Sequence, residues 1–133
     1  MTIKAAASAA TLAVLATSTV AAHHSFSAEF DPDRPVKLMG KVTEVKFSNP
    51  HAWIYVDVTG ADGKVVNWAL EMGGANALIR RGWRREDLPP GTVLAVEGWQ
   101  ARNATPTDNI STVTFEDGRT LFAGSSNPAA PQQ

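Results

Sequence analysis

The chain has 133 residues, no cysteine and a formal net charge of −1. That length holds one domain with a modest core. The missing thiols exclude disulfides, Cys-based zinc sites and thiolate chemistry, and near-neutrality supplies no global field toward nucleic acid or anionic lipid.

Taken in chain order, residues 1–4 form a short basic start, 5–20 are apolar and alanine-rich, and Ala21-Ala22 offers small residues for cleavage. This is the pattern of a signal peptide over 1–22, too short and too weakly apolar for a membrane span. The mature protein is therefore expected in the periplasm or secreted, as a monomer without a membrane span. Residues 23–35 read as an N-terminal arm whose Phe26 and Phe30 are placed to dock on the domain. Residues 36–123 read as that domain, and 124–133 as a polar, disordered tail.

A first strand is predicted over 36–47. Its inward set begins as Val36, Leu38 and Val42 and then changes parity to Val45 and Phe47, which with Gly40 in the strand predicts a bulge or sharp coil. Strands over 52–59 and 64–72 follow as a hairpin. A three-residue loop, Ala61-Asp62-Gly63 with Gly63 left-handed, pairs Val58 with Val66, Val56 with Trp68, Ile54 with Leu70 and Ala52 with Met72. This register gathers the large aliphatics on one face and leaves Trp53, Tyr55, Asp57, Asn67, Ala69 and Glu71 on the other, with His51 at its entrance. A two-residue turn would slip the register and mix the faces.

Gly73-Gly74 ends the hairpin, and 75–81 reads as a short helix with Leu78 and Ile79 as apolar contacts and Gly82 as its stop. A strand over 92–100, a polar loop over 103–109, a strand over 110–115 and a short closing strand over 119–122 complete the domain. Three strands, a helix and two strands is the order of an all-β, small five-stranded OB-like Greek-key barrel with one short helix between strands 3 and 4. A small antiparallel sandwich is the rival.

His23-His24-Ser25-Phe26, Ala28-Glu29-Phe30-Asp31, Gly40-Lys41-Val42-Thr43, Asn49-Pro50-His51, Arg81-Gly82-Trp83 and Asp117-Gly118-Arg119 together resemble a family of small exported bacterial proteins catalogued as a domain of unknown function. The resemblance implies export and a single small β domain, and it carries over no catalytic residues.

All three histidines sit where a metal site would use them. Cleavage after Ala22 makes His23 the first residue, so its amine and imidazole chelate together while His24 or His51 adds a nitrogen, an arrangement similar to the histidine brace of secreted copper proteins. Cleavage one residue earlier resembles the amino-terminal copper and nickel motif. Either donor set suits Cu(II). Closing the roughly 27-residue loop from His24 to His51 costs on the order of 3 kcal/mol, against roughly 10 kcal/mol or more from a structural metal site. Glu71, across from Trp53 and one step from His51, is a further ligand or orients the imidazole; Glu29 and Asp31 are weaker candidates on the arm. The plainer alternatives are a solvated His23-His24 terminus and a His51 bonded to a loop carbonyl. Small periplasmic copper and silver chaperones share the expected architecture, but their Trp and Met spacing is absent, and Met39 and Met72 read as core filler.

A second candidate face holds Trp53 and Tyr55 with Arg80, Arg81, Trp83, Arg84 and Arg85 nearby in sequence, a set that would meet an envelope protein, a polymer or a small ligand. The alternative makes the arginines a solvated helix face and Trp83 a plug for the barrel. No nucleic acid is expected, because the basic patch is small and the chain carries an export signal. Catalysis has the thinnest support: Ser25 beside His24 has no third partner, and Glu71 with Asp57 does not specify hydrolysis. A binding protein is favoured over an enzyme.

Overall fold

The computed structural model describes residues 26–124. The predicted signal peptide, His23, His24 and the tail beyond Gly124 lie outside the described residues.

The central hairpin, β2 (Trp53–Thr59) and β3 (Val65–Glu71), forms in the register its side chains favour: Ile54 faces Leu70, Val56 faces Trp68 and Val58 faces Val66. Gly60 N–H donates to the Lys64 carbonyl at 2.8 Å, and Gly63 takes φ +77° at the turn. Only the near half of the aliphatic face is covered. Ile54, Val56 and Leu70 are buried, whereas Val65 and Val66 are 59% and 44% exposed where the hairpin projects past the core.

The first strand, β1 (Phe30–Lys46), starts six residues' worth of chain earlier than expected, by about 20 Å of extended backbone, because Phe30 pairs with Ala101 and is buried. The expected bulge is present between Val42 and Glu44. At Gly40 a side chain would meet the Asp57 carbonyl and the Val56 side chain at 3.0 Å, so any larger residue would push β1 and β2 apart by a few tenths of an ångström. Just beyond it, Lys41 faces both Asp57 of β2 and Val93 of the next strand. One strand thus serves two neighbours.

The remaining strands are β4 (Val93–Ala101), β5 (Thr107–Phe115) and β6 (Thr120–Phe122), with two short helices, α1 (Phe26–Glu29) and α2 (Ala75–Arg80), and a 3-10 turn at Arg85–Asp87. The sheet order is β3-β2-β1-β4-β5-β6, and β3 also pairs in parallel with β5. Five strands therefore close a ring of pairings, and β6 extends it from the edge of β5. The parallel seam joins Ala69, Leu70 and Glu71 to Thr107, Asp108 and Asn109. That pairing draws into the sheet three residues expected in a polar loop.

Inside the ring lie Ile54, Leu70, Leu94 and Ile110, closed by Leu78, Met72 and Trp83. Helix α2 buries Leu78 but leaves Ile79 55% exposed, since a helix of this length turns only one face to the core. Gly82, at φ +97°, turns the chain away after Arg81 caps the helix, and Trp83 N–H donates to the Leu78 carbonyl at 3.1 Å. Met72 is core filler as expected. Met39 is not: it points away from the core and is 68% exposed. Among the described residues no helix is long and apolar enough to cross a membrane.

Candidate functional site

The loop before β2 sets the position of His51. The Asn49-Pro50 peptide bond is cis, the Ser48 carbonyl and Asn49 Oδ1 accept the N–H groups of Ala75 and Asn76 at 3.0 and 3.2 Å, and Ser48 Oγ donates to the His51 carbonyl at 2.8 Å. These bonds satisfy the first amides of α2, which would otherwise lack partners, and they fix the backbone that carries the imidazole.

Residues directly opposite on paired strands share a face. Trp53 faces Glu71, Glu71 faces Asn109 and Asn109 faces Trp99, which makes a continuous row across the outside of the ring. The arm covers this row. Phe26 stacks on Phe30 at 5.7 Å and meets the edge of Trp99 at 5.4 Å. Arg102 fastens it, its N–H donating to the Glu29 carbonyl at 2.9 Å and its Nε to the Ser27 carbonyl at 2.7 Å. Two polar side chains, Glu71 and Asn109, are buried as a result.

His51 Nδ1 lies 3.0 Å from Glu71 Oε1 and 3.4 Å from the Met72 carbonyl. The imidazole is 39% exposed and the carboxyl only 9%, so one partner is held in the protein while the other reaches the surface. Asn109 Nδ2 donates to the same Oε1 at 3.5 Å. Burial pushes the Glu71 carboxyl above its usual range; His51 opposes this, the charge of Glu29 adds to it, and the Asn109 bond again opposes it. With Nδ1 engaged by a carboxylate and a carbonyl, Nε2 is the ring nitrogen left for an external ligand.

Beside this pair is a groove of about 400 Å³, lined by Glu29, Phe30, Trp53, Glu71, Arg102 and Thr107 among others. Of the predicted site residues, His51, Glu71 and Trp53 come together here. Tyr55, two positions along β2, is partly exposed with the Lys46 ammonium 5.0 Å from its ring. The arginines do not join them. Arg81 bonds the Gly124 carbonyl at 2.6 Å and lies over the Phe122 ring; Arg85 lies over Phe47; Arg80 and Arg84 are exposed, and none of the four lines the groove. Trp83 requires a correction. It is 1% exposed, with its indole N–H donating to the Phe122 carbonyl at 2.9 Å, so it plugs the core and presents no face to a partner.

Three contributors escaped the sequence reading: Asn109, Arg102 and Asp108. The first two act through partners distant in the chain. Asp108 is fully buried on the inner side of the parallel seam. Neither of its oxygens closes a well-formed hydrogen bond; the nearby N–H groups of Trp99 and Asn109 only partly offset burial, which pushes the carboxyl up to about 7. Among the described residues no three His, Cys, Asp or Glu side chains converge as a metal set.

No curated protein and no solved structure matches the chain. A family model does match, over residues 10–109, which takes in β1 to β4 and the start of β5 with the His51, Glu71 and Asn109 positions. The chain thus belongs to the family of unknown function DUF6152.

Proposed function

We propose that the protein is an exported binding protein that holds a transition metal, copper by the chemistry of its donors, through His23, His24 and His51. The observation that carries this is the His51–Glu71 contact of 3.0 Å on the face over which the arm is strapped. A metal-ligating imidazole is ordinarily fixed by a hydrogen bond from its second nitrogen to a carboxylate or carbonyl, and His51 has both. Glu71 accordingly serves as the orienting group, with a direct ligand role as the alternative. His24 lies two residues before Phe26, within about 7 Å of extended chain. Glu29, on the same arm, is close enough for its charge to act on Glu71, so the arm approaches the pair directly.

The ring order β1-β2-β3-β5-β4, with α2 between β3 and β4, supports a five-stranded OB-like Greek-key barrel as its architecture. Nitrogen donors from an amine and two or three imidazoles favour Cu(II) over the other common divalent ions. The envelope-module reading loses Trp83 to the core, and its arginines stand apart from Trp53; it keeps Trp53 and Tyr55 only.

The test is a calorimetric Cu(II) titration of the secreted protein, after mass spectrometry has fixed its first residue. Affinity well above that of the buffer is expected, with at least a tenfold loss in His51→Ala and a smaller loss in Glu71→Gln. Affinity unchanged when His23, His24 and His51 are all replaced by alanine would sink the proposal, as would an intact leader.

A further inference from the structure

The ring of pairings leaves part of β3 as an open edge. Ala69, Leu70 and Glu71 pair with β5, but Val65, Val66, Asn67 and Trp68 pair only with β2, in a register without bulges or shifts. The Met72 N–H donates to the Ala52 carbonyl inside the hairpin, whereas the Ala69 N–H donates outward to the Pro106 carbonyl. Backbone groups alternate in direction along an antiparallel strand, so those of Val65 and Asn67 also point outward. Among the described residues no strand meets them there.

Native edges are ordinarily guarded by proline, a bulge, short length or charge. The edge of β6 is guarded by its length of three residues. On β3, Lys64 at the turn is followed by two exposed valines and a half-buried Trp68, with no proline and no bulge. Residues 125–133 do not suit this edge. They follow Gly124, whose carbonyl accepts from Arg81, at the Gly73 end of the hairpin, where the Ala123 carbonyl accepts from the Gly73 N–H. Pro128 and Pro131 cannot donate to a ladder, and the stretch has no large apolar side chain to set against the valines.

A second copy of the same edge does suit it. Antiparallel pairing centred on Val66 sets Val66 against its counterpart at a non-hydrogen-bonded position, where side chains come closest. Val65 and Asn67 of each copy then exchange backbone hydrogen bonds with Asn67 and Val65 of the other, and the Lys64 ammonium comes beside the indole of the other copy's Trp68. Slipping the pairing one way would need Ala69, already bonded to Pro106. Slipping it the other way would use Gly63, which is turned to φ +77°, and would set Lys64 against Val66.

We propose that two copies of the protein associate edge to edge through β3, with Val66 at the centre of one sheet made from both hairpins. A contact of this size belongs to the weak, transient class, so it replaces the monomer expected from the sequence only at high concentration. It rests on no part of the copper reading, since His51 lies at the other end of β2 from the turn.

The experiment is sedimentation equilibrium on the secreted protein from about 10 μM to about 1 mM, the range of weak association, with a chelator present so that no metal bridges two molecules. An average mass rising toward that of the dimer is expected. Val66→Lys sets like charges side by side at the centre and should raise the dissociation constant at least about tenfold. The protein has no cysteine of its own, so a disulfide reads the register. In oxidised glutathione Val66→Cys should form covalent dimer at least about tenfold faster than Val65→Cys, whose counterpart is displaced along the strand beyond bridging distance. Should Val66→Lys fail to fold, the two cysteine variants decide. Monomeric mass across the whole range, an unchanged dimer in folded Val66→Lys, or equal cross-linking at the two cysteine positions would each overturn the proposal.

Discussion

At Asp108 a carboxyl is enclosed where no donor properly meets it, and the consequence is a stability that depends on pH. Its folded value is pushed from 3.8 up to about 7, so the native state keeps a proton that the unfolded chain gives up. Below about pH 4 both states hold it. As pH rises toward 7 the unfolded chain ionises while the native side chain does not, and stability falls through that window before levelling off above it. Asp108→Asn should remove the slope and raise stability at pH 8 by up to roughly 4 kcal/mol, while changing little at pH 4. Urea unfolding of both proteins across that range measures it, and an unaltered slope in the variant would clear Asp108 of responsibility. Glu71 is shifted in the same direction, so its ionisation adds to the same fall. Its partners differ, since His51 and Asn109 both stabilise the ionised form.

At the scale of elements, the arm is the piece most easily separated from the rest. Its helix, Phe26–Glu29, is a single turn, far below the length at which a helix persists unaided. It is held by Phe26 on Trp99 and by the Arg102 side chain on the Ser27 carbonyl. Arg102→Ala should loosen it by about 1 kcal/mol without unfolding the ring. The amide of residue 102 donates to the Glu29 carbonyl and reports on docking; its exchange should quicken about fivefold, while that of Val113 stays unchanged. If both amides respond equally, the arm is part of the global unfolding unit. If the copper proposal is right, the same variant should also lower Cu(II) affinity in the calorimetric titration.

For the molecule as a whole, the ring is closed unevenly. The parallel seam between β3 and β5 consists of three paired positions, whereas β4 is paired along its length with β1 on one side and β5 on the other. The seam also has Asp108 on its inner side and Glu71 on its outer side, two buried carboxyls whose ionisation costs the native state. Opening should therefore begin there. The Ala69 N–H, which donates to the Pro106 carbonyl at 3.0 Å, is expected to exchange faster than that of Val96 in the middle of β4, and the gap should widen as pH rises from 5 to 8 after correction for intrinsic exchange. Hydrogen exchange followed by NMR tests this. Equal protection at the two positions would show that the ring opens only as one unit.

The short-range geometry of the chain is legible in its residues alone. The register of β2 against β3, the left-handed turn at Gly63, the bulge in β1 and the stop at Gly82 all follow from side-chain period and turn chemistry within a few residues. The pairing of Trp53 with Glu71, and with it the placement of Glu71 beside His51, came from the same register. Contacts between distant segments are not legible in this way. Glu71 and Asn109 are 38 positions apart and meet through a parallel pairing; Arg102 and Ser27 are 75 apart and meet because the arm crosses the face of the ring. No local pattern encodes such contacts, because closing a long loop depends on what the entire core gains by it. For the same reason Asp108 and Asn109, which look like loop residues when read alone, are buried in a sheet, and Trp83, which looks available beside its arginines, is enclosed.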